Sequence, residues 1–180
     1  EESATNTFGS TFGDIDNDGD LDLIVINGSP DPSIPSVFPN AGANSISLNN
    51  GSGTFSKYAV QEMANHPGIS EIGGAMADFD KDGFLDFYPS KGQTTLADLP
   101  NFIYRNLLTA SSSRNWIELK LVGTLSNKSG IGARVTVTTT SPARTQIREV
   151  STHTGYGSAN SLIVHVGIGS ATGISNIQIK

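Results

Sequence analysis

"FGDIDNDGDLDLIVING" (residues 12–28) sets five aspartates within nine positions and then turns apolar. Sixty-four residues further on, "ADFDKDGFLDFYPS" (77–90) repeats the pattern. Asp14, Asp16, Asp18, Gly19 and Asp22 align with Asp78, Asp80, Asp82, Gly83 and Asp86, so D-x-D-x-D-G-x-x-D occurs twice. In a tight loop, side chains at positions 1, 3 and 5 converge on one centre. Glycine at position 6 allows the sharp turn, position 7 offers its carbonyl, and an aspartate at position 9 can close the ligand set. Such a set of hard oxygen donors suits Ca²⁺, which takes about six to eight of them. Position 7 is Asp20 in the first loop and Phe84 in the second, and each is expected to contribute its carbonyl.

Magnitudes favour a cation over a solvated acidic turn. Two carboxylates ~4 Å apart repel by about 1 kcal/mol in water and about 4 kcal/mol at an effective dielectric of ~20. Four of them beside a buried strand would cost a large share of a domain's stability, and a bound dication reverses the sign. An EF-hand needs Glu at position 12, but Val25 and Pro89 stand there and no helical pattern flanks either loop. Mg²⁺ resists full dehydration and suits an all-protein cage poorly. The expectation is two Ca²⁺ sites in loops of a β protein.

The rest of the chain reads as β-structure. Alternation and β-branched residues, with Gly, Asn and Ser at intervals, predict strands at 21–27, 45–48, 54–60, 85–89, 101–105, 116–122, 133–140, 146–152, 161–166 and 174–179. "NNGSGTF" (49–55) signals a hairpin turn through its Asn-Gly step. Only 94–100 offers a short helix candidate. Small polar residues at 109–115 mark a boundary, dividing the chain into 1–110 and 111–180.

Charge divides at nearly the same point. Residues 1–100 hold 15 acids and 3 bases, a net of −12, and residues 101–180 hold 2 acids and 8 bases, a net of +6. Nine of the eleven aspartates sit in the two windows, so the acidity belongs to sites and not to a solvating tail. The scattered basic excess lacks a stacking platform, which argues against nucleic acid. No apolar run approaches the ~18 residues of a membrane span. With no cysteine, neither a disulfide framework nor a thiolate site is available. The start at Glu1, with neither Met nor a signal-peptide pattern, is read as processing or as part of a longer protein.

Together these motifs resemble a family. Phe12-Gly13 before the first acidic cluster, and "NNGSGTF" after it, are similar to FG-GAP/VCBS repeats, the blade units of integrin-α-type β-propellers. "NWIELKLVG" (115–123), "SNKSGIGARVTV" (126–137), "REVSTHTGYGSANS" (148–161) and "HVGIG" (165–169) resemble the ASPIC/UnbV domain. The two parts occur in this order in the cartilage acidic protein-like family. The resemblance implies an all-β fold, propeller-blade-like repeats followed by a β-sandwich-like domain, in an extracellular or secreted protein. A closed propeller needs roughly four to eight blades, whereas two repeats are recognisable. The chain is then either part of a longer protein or a two-repeat form completed by other means.

His66, His153 and His165 are widely spaced and read as hydrogen-bonded structural residues. The glycines of "GIGAR" and "GIGSATG" lack the strand-to-helix context of a phosphate loop. Trp116, the only tryptophan, reads as core of the second domain. Arg105, Arg114, Arg134, Arg144 and Arg148 would either be solvated or form a face for acidic surface on a neighbouring copy. Asn27, Asn50 and Asn127 begin Asn-x-Ser sequons that would accept glycans in a secreted eukaryotic protein.

The function expected is non-catalytic: a calcium-binding extracellular structural or adhesion protein with protein or glycan partners. One alternative is a subunit of a self-assembling fibre or surface layer, completed by strand pairing between copies. Another is a carbohydrate-active module, disfavoured because the aspartates are committed to a cation and aromatic platforms are scarce.

Overall fold

The computed structural model describes residues 7–27, 44–59, 71–91, 102–111 and 113–180. These residues form eleven strands and no helix. The helix candidate at 94–100 and His66 lie outside the described residues. In the first half β1 (Thr7–Gly13), β2 (Asp22–Asn27), β3 (Ser45–Asn49) and β4 (Phe55–Tyr58) make an antiparallel sheet in sequential order. That is the layout of one propeller blade. β5 (Glu71–Ala77) and β6 (Asp86–Lys91) form a second antiparallel pair beside it. Each acidic loop joins the first two strands of its unit, β1 to β2 and β5 to β6.

In the second half β7 (Asn115–Leu119) pairs with β10 (Val164–Gly169). β8 (Arg134–Thr139) lies between β9 (Thr145–Glu149) and β11 (Ile174–Ile179). Val135, Val137, Val150, Val164 and Val166 fill the space between these two small sheets, giving a sandwich-like core. A separate core of Ile15, Ile24, Ile26, Ile46, Met76 and Phe87 lies within the first half. The fold is all-β, and among the described residues the blade units are not closed into a propeller.

Two strands escape the sequence pattern. β1, "TFGSTFG", and β5, "EIGGAMA", are rich in small residues where β-branched ones would be expected. Conversely, the strand expected at 101–105 is reduced among the described residues to an isolated bridge between Phe87 and Tyr104. Trp116 is half-buried at the seam between the halves, against Phe84 with ring centroids 6.0 Å apart, and not within the valine core.

Candidate metal centre

The two acidic loops share one conformation. Position 4 is left-handed in both, Asn17 at φ 61° and Lys81 at φ 64°, and position 6 is Gly19 at φ 99° and Gly83 at φ 92°. The same short-range bonds recur. Position 5 accepts the amide of position 7, Asp20 N to Asp18 Oδ1 at 2.8 Å and Phe84 N to Asp82 Oδ1 at 3.0 Å. Position 3 accepts the amide of position 5, at 3.3 Å for Asp16 and 3.2 Å for Asp80. Asp78 also receives the amides of Asp82 and Gly83 at 3.1 and 2.8 Å.

The ninth-position aspartates pin the loops. Asp22 takes the Ile15 amide at 2.8 Å on one oxygen and the Asn49 amide at 2.9 Å on the other. Asp86 does the same with Phe79 at 3.0 Å and Asn106 at 2.8 Å. Ligand atoms of Asp14, Asp16 and Asp18 lie within 4.8 Å of one another, as do those of Asp78, Asp80 and Asp86. Asp22 and Asp82 fall outside these groups. The Asp20 carboxylate is turned to the Arg144 guanidinium, and the Phe84 ring is buried against Trp116.

Burial makes the first loop electrostatically costly. Asp14 is 1 % exposed, and its Oδ1 has no hydrogen-bond partner. Desolvation pushes the Asp14 carboxyl up to about 7, partly opposed by Arg148. Asp22 is raised to about 6 by burial, against the pull of the Asn49 and Ile15 amides. Asp18 is also raised, mainly by burial, and so is Asp86 in the second loop. An unpartnered buried carboxylate oxygen facing this penalty is what a cation would relieve.

The second half reaches into the same place. Gly167 N donates to Asp14 Oδ2 at 3.0 Å, and Arg148 Nη2 lies 3.6 Å from that oxygen. Arg144 also donates to the Asp18 carbonyl at 2.8 Å, and Arg105 pairs with Asp80 and Asp82 at the second loop. Arg105, Arg144 and Arg148, read from sequence as either solvated or a face for another copy, are thus paired with acids of the same chain. His165, nine-tenths buried, bonds the Gly83 carbonyl through Nε2 at 3.0 Å. His153 is exposed.

The family models of two domain types match the chain. Residues 27–88 match the FG-GAP-like repeat, and residues 123–180 match ASPIC and UnbV. The chain joins an FG-GAP-like repeat to an ASPIC/UnbV domain. No curated protein matches it. The FG-GAP match contains the second acidic loop and begins beyond the first, whose kinship rests on the shared dihedrals and hydrogen bonds above. FG-GAP and ASPIC/UnbV domains fit an extracellular adhesive or structural role and are generally non-catalytic. Among the described residues no helix is long and apolar enough to cross a membrane.

The sequons differ in setting. Asn27 is buried within β2. The exposed Asn127 side chain is tied at both ends to the Ile131 main chain, at 2.8 and 2.9 Å. Asn50 is exposed, with Oδ1 accepting the Ser52 hydroxyl at 2.7 Å.

Sequence reasoning missed Asn17 and Asn106. Asn17 Nδ2 donates to the Gly83 carbonyl at 2.9 Å, linking one loop to the other. Asn106 Nδ2 donates to the Ile15 carbonyl at 2.8 Å while its backbone amide holds Asp86. The one available signal was asparagine at position 4, since Asn tolerates the left-handed region better than most residues.

Proposed function

We propose that this is a non-catalytic, calcium-stabilised extracellular module of adhesive or structural type, built from FG-GAP-like units at 1–110 and an ASPIC/UnbV domain at 111–180. β7 goes with the second unit because it pairs with β10. One Ca²⁺ is held by Asp14, Asp16 and Asp18 with the Asp20 carbonyl, and Asp22 bracing the loop. A second is held by Asp78, Asp80 and Asp86 with the Phe84 carbonyl, and Asp82 beside it. The observation that carries this reading is the buried, unpartnered Asp14 Oδ1 within a compact carboxylate group whose sequence pattern recurs 64 residues later. The donors are all hard oxygens, which favours Ca²⁺ over softer metals. Binding would replace the desolvation penalty with coordination, and so add to folding stability by mass action.

Calorimetric titration with calcium tests it. Two sites are expected, one lost in Asp16→Ala and the other in Asp80→Ala. No heat at millimolar calcium, the range of weak extracellular sites, would sink the reading.

A second reading, assembly through strand pairing, is supported by β4. Among the described residues it is the outer strand of its sheet, and all four of its residues are exposed, including Phe55 and Tyr58. An open edge of this kind can accept a strand from another chain. Light scattering on the same samples separates the two, since growth in particle size as calcium is added favours assembly.

A further inference from the structure

We propose that the ASPIC/UnbV half is a cation-dependent clasp: it docks on the folded form of both loops at once, so filling either loop raises the cation affinity of the other. This rests on the calcium reading of the loops and assigns them a regulation that neither domain type carries by itself.

The clasp reads main-chain groups whose positions are set by loop conformation. Gly169 N donates to the Asn17 carbonyl at 2.9 Å, and Arg144 Nη1 to the Asp18 carbonyl at 2.8 Å. Arg148 Nη2 reaches the Gly19 carbonyl at 3.4 Å. On the second loop, His165 Nε2 meets the Gly83 carbonyl at 3.0 Å. That carbonyl also receives Asn17 Nδ2 from the first loop, so one oxygen joins both loops and β10.

The fit leaves no slack. A Cβ at Gly83 would overlap the Trp116 ring, and one at Gly167 would come within 2.6 Å of the Asn17 Cα. A loop that relaxes when its carboxylates repel one another therefore loses the surface on which β7 and β10 sit. A cation drawing those carboxylates together restores it. Two ligands that favour the same arrangement of one packed element are coupled, and the coupling is reciprocal.

Asn17 is the narrowest link. It is fully buried, and its φ of 61° is open to glycine. Asn17→Gly thus removes the bridging amide while leaving the backbone conformation accessible.

The experiment uses the full chain with Ca²⁺ in calorimetry and Tb³⁺ as a luminescent stand-in. Trp116, the only tryptophan, lies on the second loop and serves as antenna for Tb³⁺ bound there. Emptying the first loop with Asp16→Ala is expected to weaken the second site by roughly tenfold, within the usual span of allosteric coupling. Asp80→Ala, at an exposed position, is expected to weaken the first site by the same factor, a reciprocity that damage to one loop alone would not reproduce. In Asn17→Gly both sites still bind, and the added effect of Asp16→Ala on the second shrinks toward none. Each site binding with unchanged affinity when the other is emptied would overturn the clasp and leave the calcium reading intact. Absence of any binding in the wild type would overturn both.

Discussion

Asp14 carries the electrostatic tension of the first loop, and its titration gives a signed prediction. Its carboxyl is raised from 3.8 to about 7 by burial, so the folded chain without a cation holds a proton that the unfolded chain releases. The folded state binds more protons between these values, and stability therefore falls as pH rises through the interval. In the cation-free protein this contribution is fully present below about pH 4 and lost above about pH 7. Calcium must displace the same proton, so its affinity should weaken as pH drops below about 7, with proton release on binding. Calorimetry in buffers of different ionisation enthalpy measures that release. An affinity flat between about pH 5 and pH 8 would show that Asp14 takes no part in the site. The aspartates themselves were legible in the sequence because their spacing is local. Their partners were not, because Asp18 and Arg144 lie 126 residues apart and nothing in either window anticipates the other.

Within the first loop the aspartates divide into two kinds, and substitution should separate them. Asp22 satisfies two main-chain amides, Ile15 N and Asn49 N, in a fully buried position. Asp22→Ala would strand both donors, each at about 1–3 kcal/mol, and should destabilise the protein by about 2 kcal/mol or more even without calcium. Asp16 is half-buried, accepts one long bond from Asp18 N at 3.3 Å, and stands among like charges. Asp16→Ala should leave the cation-free protein within about 0.5 kcal/mol of the wild type, or somewhat more stable, while removing the first site's share of the calcium stabilisation. Urea denaturation of the two variants, with calcium and with chelator, distinguishes a brace from a ligand. Equal losses in chelator would refute the division. Strands were read unevenly for a related reason. β2, β8 and β11 are rich in β-branched residues and were found within a residue or two. β5 escaped because its glycines meet neighbours from far along the chain. A Cβ on Gly73 would lie 2.6 Å from the Tyr156 carbonyl, and one on Gly74 would strike the Phe87 ring at 2.7 Å or less. Close approach selected small residues and erased the pattern.

At the scale of the whole molecule, the segment around residues 155–161 joins the second half to the first. It lies along β1 and β5. Ser158 Oγ accepts Gly74 N at 2.8 Å, Asn160 Oδ1 accepts Met76 N at 2.9 Å, and Ser161 N donates to the Met76 carbonyl at 3.1 Å. Side chains of the ASPIC/UnbV half thus accept the Gly74 and Met76 amides of β5. The opposite charges of the two halves meet in the same seam, where Arg144 and Arg148 face the first loop. His165 is a second buried titratable group there, and its basicity is lowered mainly by burial and further by Arg148, against the Gly83 carbonyl and Asp78. A neutral ring donating from Nε2 fits the carbonyl, whereas a charged ring must be desolvated. The unfolded chain takes up a proton near pH 6.5 and the folded chain resists it until lower pH. Stability from this residue is therefore present above about pH 6.5 and declines as pH falls toward the folded value. In saturating calcium, which keeps Asp14 ionised, the protein should lose stability as pH falls below about 6.5. His165→Gln retains an N–H donor without a titrating group and should flatten that limb, even at some cost in packing. Denaturation midpoints across this range decide the matter: an acid limb as steep in His165→Gln as in the wild type would locate the sensitivity elsewhere in the seam.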